Sequence, residues 1–453
     1  MGTSDRDKTR ISRLNRRTFL KVGGAVGVLS AFGGLEGILA ERRAPAYAQT
    51  TKLHLLHWVD FVPEGDVELK RQIAEYSKQM KAEITFETIN ANDLQTRITA
   101  AIWSGTGPDI ILMLHNWPHL YQAALADVSD LCEWKGKDQG GYYAQSETVA
   151  RDGGRWLALP YGIVGLLITY RKSWFAAVGA PQVPKTLDEY RRIGAALKKK
   201  GYPVGQTLGH TFGDAPAWSY PLLWAFGGAE TDRTGKSVVL NSKDALESVK
   251  WMVAFWKEAC DEGGLAWDDT NNNRAFQAGE IGATLNGPSI YIMAKRRAEA
   301  TKDEKGRPLW MDISHFPIPD GPAGQTPGYH VAFSHALMKY SKNQKAAKAF
   351  LQWLHSKEQF GKWFDVEAGY SVGSTSFWEK HALWEKIDAA LKPFRTAGRA
   401  SRMIGHAGPA SAKATEAYSK YIITDMYAKA VQGMPPEEAV RWAERELKKI
   451  YEA

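Results

Sequence analysis

Residues Arg155–Arg171, RWLALPYGIVGLLITYR, read as a strand, a short stop and a second strand. Trp156, Leu157 and Leu159 lead into Pro160-Tyr161-Gly162, and an apolar run from Ile163 to Tyr170 follows. Proline fixes φ and lacks an N–H donor, so Pro160 is expected to interrupt a central strand. Gly162 lets the backbone turn without strain. The stretch therefore reads as a covalent crossing between two α/β lobes with a cleft beside it.

On the N-terminal side, Lys52–Trp58 reads as a strand, and Leu69, Ile73, Tyr76 and Met80 recur at helical spacing. Glu83–Ile89 alternates as a strand, Asp93 is placed to cap a helix facing inward through Leu94, Ile98, Ala101 and Ile102, and Pro108–Leu114 is a continuous apolar run suited to a buried parallel strand. This β-α-β-α-β order predicts an open α/β lobe. On the C-terminal side, Thr186-x-x-Glu189 is a capping box opening a helix that Gly201 closes, and a helix follows Asn241. Gly213–Gly228, GDAPAWSYPLLWAFGG, is aromatic and broken by prolines, and reads as a loop. Asn271-Asn272-Asn273 starts a helix, and a strand ends at Asn286-Gly287-Pro288-Ser289. Ile313–Pro319 and the loop to Gly328 form a return crossing, Val331–Met338 a strand, Lys345–Leu354 a helix, and Glu367–Gly373 a third crossing. The last helix starts at Pro435-Pro436.

At 453 residues the chain exceeds one hydrophobic core, in line with two lobes. Asn15-Arg16-Arg17-Thr18-Phe19-Leu20-Lys21, a weakly apolar run to Ala40 and the small-x-small site Ala46-Tyr47-Ala48 resemble a twin-arginine export signal. Glu36 and the glycines of that run make a poor membrane anchor. The first 48 residues carry nine Lys/Arg and four Asp/Glu, so their removal brings the net charge from +8 to +3, too little for a nucleic-acid partner. Cys132 and Cys260 are read as buried free thiols.

Metal-binding CxxC and HExxH motifs, the G-x-S-x-G elbow and a GxGxxG turn are absent from the sequence, and no cofactor or metal is expected. His54 and His57 read as structural, and Asp268-Asp269 as a helix cap. What remains is aromatic and polar side chains at loop ends, where open α/β sheets hold ligands. Trp58 and Asp60 follow the first strand, Asn116 and Trp117 the third, and Asp214 and Trp218 lie in the second-lobe loop. Flat rings against the C–H face of a sugar, with Asn and Asp on its hydroxyls, describe a carbohydrate cleft. Trp224, Trp251 and Trp256 are assigned to the core. Trp218→Ala is expected to weaken binding and spare the fold.

Several segments in this order are similar to the extracellular solute-binding proteins of ABC sugar importers: Ser104–Ile110, Leu159-Pro160-Tyr161, Pro184-Lys185-Thr186, Phe276–Glu280, Asn286-Gly287-Pro288 and Ser341–Leu354. The resemblance implies an α/β, two-lobed periplasmic-binding-protein fold (type II) with three crossing segments. It implies a signal over 1–48, one lobe from 49–160 plus 314–366, and the other from 161–313 plus 367–453. Hinges are expected near Tyr161, Pro317 and Glu367. The expected ligand set is Trp58, Asp60, Asn116, Trp117, Tyr161, Asp214, Trp218, Asn286, Ser289, His330 and Tyr370. The implied protein is a periplasmic monomer that passes a sugar or polyol to ABC permease subunits and turns nothing over. Asn116 stands near an acidic position of maltose-binding protein, and Ser289 where that group has an aromatic, which argues against a maltodextrin. An exported glycosidase would need two carboxyl groups across the scissile bond, and a polyamine binder a more acidic cleft.

Overall fold

The computed structural model describes residues 51–399 and 401–453, and the export signal read over 1–48 lies outside them. The first elements are β1 (Thr51–Trp58), α1 (Pro63–Met80), β2 (Ala82–Ile89), α2 (Leu94–Ser104) and β3 (Ile110–Leu114). Pro63 at the first turn, with Glu64 and Asp66, suits the positive end of the α1 dipole, and Leu69, Ile73 and Tyr76 bury its inner face. Asp93 occupies the cap position of α2 but makes no capping bond. Asn90 instead accepts the Asn92 N–H and opens a short 3₁₀ turn from which α2 grows.

Next come α3 (Trp117–Leu120), β4 (Leu159–Val164), β5 (Leu167–Arg171), α4 (Leu187–Lys199), α5 (Asp214–Ala225), α6 (Lys243–Ala259), α7 (Asn271–Gln277), β6 (Ala283–Asn286), α8 (Ser289–Arg296) and β7 (Ile313–Phe316). They are followed by β8 (Val331–Leu337), α9 (Gln344–Leu354), α10 (Lys357–Glu367), β9 (Ser371–Gly373), α11 (Ala412–Ser419), α12 (Ile422–Val431) and α13 (Pro436–Tyr451). Among the described residues the main sheets run β9-β4-β8-β3-β1-β2 in lobe 1 and β6-β5-β7 in lobe 2.

The crossing falls later than the sequence reading placed it. Pro160, Tyr161 and Gly162 all lie inside β4, and the chain changes sheet at Gly165-Leu166. Pro160 is accommodated at a bulge: Phe333 pairs with Gly162 and Ser334 with Pro160, so Tyr161 is left over. β9 pairs only with Gly162–Val164, so the missing Pro160 N–H interrupts no ladder there. The return runs from Pro317 to His330, and β9 still belongs to the first sheet. The lobe changes read at 160/161 and 366/367 therefore fall within lobe 1. The third crossing thus follows β9 and does not lie at Glu367–Gly373. At the true junction the segments touch one another. A Cβ on Gly165 would lie 2.9 Å from Ala397 Cβ and Phe394 Cδ1 of the third crossing, and the Leu166 N–H donates to His330 Nδ1 of the second at 3.1 Å.

Gly213–Gly228 is not the expected loop. It forms α5, every residue of which is buried, with Pro221 inside the helix. Asp269 makes this helix start possible by accepting the N–H groups of Asp214 at 2.7 Å and Gly213 at 3.2 Å. The capping box at Thr186 and Glu189 has both of its bonds, and Ser242 caps α6. Cys132 and Cys260 are free and buried.

Both lobes bury ionisable groups. In lobe 1, His57 Nε2 meets His335 Nε2 at 2.7 Å, His335 Nδ1 meets His355 Nε2 at 2.8 Å, and Lys135 Nζ lies 3.1 Å from His355 Nδ1 while donating to Pro160 O at 2.6 Å. Burial pushes Lys135 down to about 7 and His57 to about 3. In lobe 2, Glu230 is fully buried, accepts from Tyr220 Oη and Gly405 N–H, and is pushed up to about 8 by burial. A carboxyl raised in the folded state stabilises below its unfolded pKa and loses that contribution as pH rises through the folded value. Wild type is therefore expected to lose melting temperature relative to Glu230→Gln as pH rises from about 5 to 8, with the difference level above that, in parallel thermal melts.

Candidate functional site

β1 ends at Trp58, β4 at Val164 and β6 at Asn286, and α5 and α8 begin at Asp214 and Ser289. These ends converge on a cleft of about 330 Å³, including its open part, lined also by Phe61, Leu166, Phe212, Gly213, Asp269, Gly287, Val331 and Tyr370. Its position follows from the topology: strand ends and helix starts of both lobes face each other beside Gly165-Leu166.

The apolar wall is a chain of rings. Trp58 stands 5.7 Å from Phe212 and edge-on to Phe61 at 6.2 Å, and Phe61 stacks on Tyr370 at 6.2 Å. The polar wall is built by α5, α7, β6 and α8. The fully buried Asn272 donates from Nδ2 to Asp214 Oδ2 at 2.6 Å, to Thr284 Oγ1 at 3.2 Å and to Leu285 O at 3.3 Å. Asn286 donates to Asn273 Oδ1 at 2.5 Å and accepts from Ser289 Oγ at 3.2 Å. One edge of Asp214 is thus anchored while the residue lines the cleft. Burial raises Asp214 well above the carboxylate range and the Asp269 charge adds to this. Burial brings Asp269 to about 6 against the opposing Asp214 and Gly213 N–H bonds and the Thr211 hydroxyl. Among the described residues, none lining the cleft is Lys, Arg or His.

Of the residues expected from sequence, Trp58, Asp214, Asn286, Ser289 and Tyr370 are brought together here. The others lie elsewhere. Asp60 accepts the Val62 N–H at 2.8 Å, and burial, reinforced by the Asp66 charge, raises it to about 7 beside Glu367. Asn116 is buried with neither side-chain polar atom bonded, its carbonyl accepting from Thr415 Oγ1. Trp117 is buried edge-on to His115. Tyr161, far from being a hinge, sits in the lobe 1 core among His335, His355, Phe360 and Trp363. Trp218 is fully buried against Phe255 and Trp251, its Nε1–H donating to Met252 Sδ at 3.3 Å. His330 ties crossing segments through Leu166.

Phe61, Phe212 and Asp269 were missed. Phe61 lies three residues past Trp58, the same signal that singled out Trp58. Asp268 accepts the Thr270 and Asn271 N–H groups just before α7, whose cap position is Thr270, whereas Asp269 accepts those at the start of a helix 55 residues away. Only folding reveals that partnership.

Residues 63–359 match the model of the bacterial extracellular solute-binding protein family. The chain belongs to that family. As a solute-binding protein it is similar to the diacetylchitobiose binding protein DasA of Streptomyces coelicolor, 26% identical over 61% of this chain and 63% of that one, so it spans less than two thirds of that relative. It is similar also to the maltotriose-binding protein of Pyrococcus abyssi, 24% identical over 69% of this chain and 65% of that one. In fold it matches maltose-bound MalE3 of T. maritima, with a TM-score of 0.73 and 19% identity over 88% of this chain and all of that one. It likewise matches a ribitol-bound solute-binding protein of Agrobacterium radiobacter K84, with a TM-score of 0.71 and 21% identity over 88% and 98%. Within the described residues, no helix is long and apolar enough to cross a membrane.

Removing a fully buried Trp leaves a large cavity. Trp218→Ala is therefore expected to cost about 3–5 kcal/mol of stability in denaturant unfolding. This replaces the expectation that the variant would spare the fold.

Proposed function

We propose that this solute-binding protein captures a small uncharged sugar or polyol in the cleft between its lobes and delivers it to the membrane subunits of an ABC importer. The observation that carries the reading is the make-up of the cleft walls. Rings of Trp58, Phe61, Phe212 and Tyr370 offer apolar faces to C–H groups, and Asp214, Asn286 and Ser289 offer hydrogen bonds to hydroxyls. The absence of a cation among the described lining residues disfavours anionic solutes such as sugar acids or sugar phosphates. The maltotriose-binding relative and the maltose-bound and ribitol-bound structural neighbours support the same class.

The ligand bridges walls that belong to different lobes, so it binds the closed arrangement more tightly and shifts the equilibrium toward it. Nothing in that cycle requires turnover. Asp269 spends both carboxylate oxygens on Thr211, Gly213 and Asp214, which leaves no second free carboxyl among the described residues lining the cleft for hydrolysis. The reading further places the protein in the periplasm as a monomer, exported through the twin-arginine pathway by residues 1–48, with a permease as its partner.

Incubation with maltose, laminaribiose and ribitol is expected to raise the melting temperature for at least one of them. A solute at 100 times its Kd adds about 2.7 kcal/mol to stability. Asp214→Ala and Trp58→Ala are each expected to weaken that solute about tenfold or more by calorimetric titration. Sugar acids that bind while every neutral sugar and polyol fails would overturn the reading.

A further inference from the structure

The lobes are joined by more than the crossing segments. His115 follows β3 of lobe 1 with φ of 50°, a left-handed conformation uncommon outside glycine. Its Nε2 lies 2.8 Å from the carbonyl of Phe212, the lobe 2 residue whose ring lines the cleft. Its Nδ1 meets the hydroxyl of Tyr329, in the second crossing, and Nε2 also lies 2.9 Å from Tyr418 Oη on α11. The Tyr418 hydroxyl donates to the same Phe212 carbonyl. One neutral tautomer satisfies the set: Nε2–H donates to Phe212 O while Nδ1 accepts from Tyr329. Burial holds the ring neutral by pushing it down to about 3, against the effect of the Phe212 carbonyl.

A second lobe 1 residue grips the same loop. Asn92 Oδ1 accepts the Phe212 N–H at 3.1 Å. Two further bonds fix α11 beside it, from Thr415 Oγ1 to Asn116 O at 2.9 Å and from Gln95 Nε2 to Ser419 Oγ at 2.8 Å. Phe212 thus belongs to lobe 2 by sequence, while both polar groups of its backbone are bonded to lobe 1.

We propose that His115 is a positioning residue that couples lobe closure to the binding cleft: its bond to the Phe212 carbonyl places the Phe212 ring against the ligand and holds the lobes together. An imidazole on a left-handed backbone, with its two ring nitrogens bonded to different segments, is poorly replaced by a purely packing residue. The inference rests on the cleft between the lobes being the ligand site, but its test uses no ligand, so either can fail without the other.

Spin labels at Lys78→Cys on α1 and Lys257→Cys on α6, both exposed, report the lobe separation in the whole protein by pulsed electron resonance. His115→Phe keeps the aromatic volume and removes the ring's bonds to Phe212, Tyr329 and Tyr418. It is expected to shift the distance distribution to longer values, and His115→Gln, which can donate to Phe212 O and accept from Tyr329, to restore it. Asn92→Ala, at an exposed position, is expected to lengthen the distribution in the same direction and decides the matter if His115→Phe does not fold. Distributions superimposable on the parent in both His115→Phe and Asn92→Ala overturn the proposal. So does a His115→Gln variant as open as His115→Phe, since volume alone would then explain the effect.

Discussion

The meeting of three chain segments at Gly165-Leu166 is the constraint on which the arrangement of the lobes depends. The first crossing is two residues long and leaves β4 in the middle of a run of adjacent, hydrogen-bonded strands. The third passes so closely over Gly165 that a Cβ there would press on Phe394 and Ala397, and the second is tied to Leu166 by His330. Short strands with fixed pairing leave little play at such a junction, so relative motion is confined to a few backbone torsions. Everything in the cleft is arranged around that point: Val164 and Leu166 form part of its wall, and Val331 and Tyr370 stand at the ends of the flanking strands.

The cleft combines two kinds of preorganisation. Its rings are held by other rings, so their faces are fixed before any solute arrives. Its hydrogen-bonding groups are held by a buried amide network in which Asn272 and Asn273 orient Asp214, Asn286 and Ser289. Fixing donors and acceptors in advance lowers the entropy lost on binding. Buried carboxyls here and at Asp60, Glu367 and Glu230 are all shifted upward by desolvation, while His57, His115, His335, His355 and Lys135 are shifted downward. The two sets oppose each other in their effect on stability as pH changes.

Periodicity in the sequence determined the alternation of strands and helices, the capping box at Thr186, the inner face of α1 and the aromatic and polar character of the strand ends, because these depend on neighbours one to four residues away. Two errors share one cause. Pro160 looked like a break and became a bulge, and Pro216 and Pro221 looked like loop punctuation and lie in a buried helix. In each case a partner distant in sequence decides the outcome: the register shift against β8 leaves Tyr161 unpaired beside Pro160, and Asp269 accepts the N–H groups at the start of α5. Trp58 and Trp218 are the same residue type near similar signals, yet one lines the cleft and the other fills a core, since packing against α6 is invisible until α5 is known to be a helix. The sequence by itself thus decided the class of fold and the chemistry available at the strand ends. Tertiary structure alone decided which side chains face the gap, because facing depends on the register of strands and helices brought together across hundreds of residues.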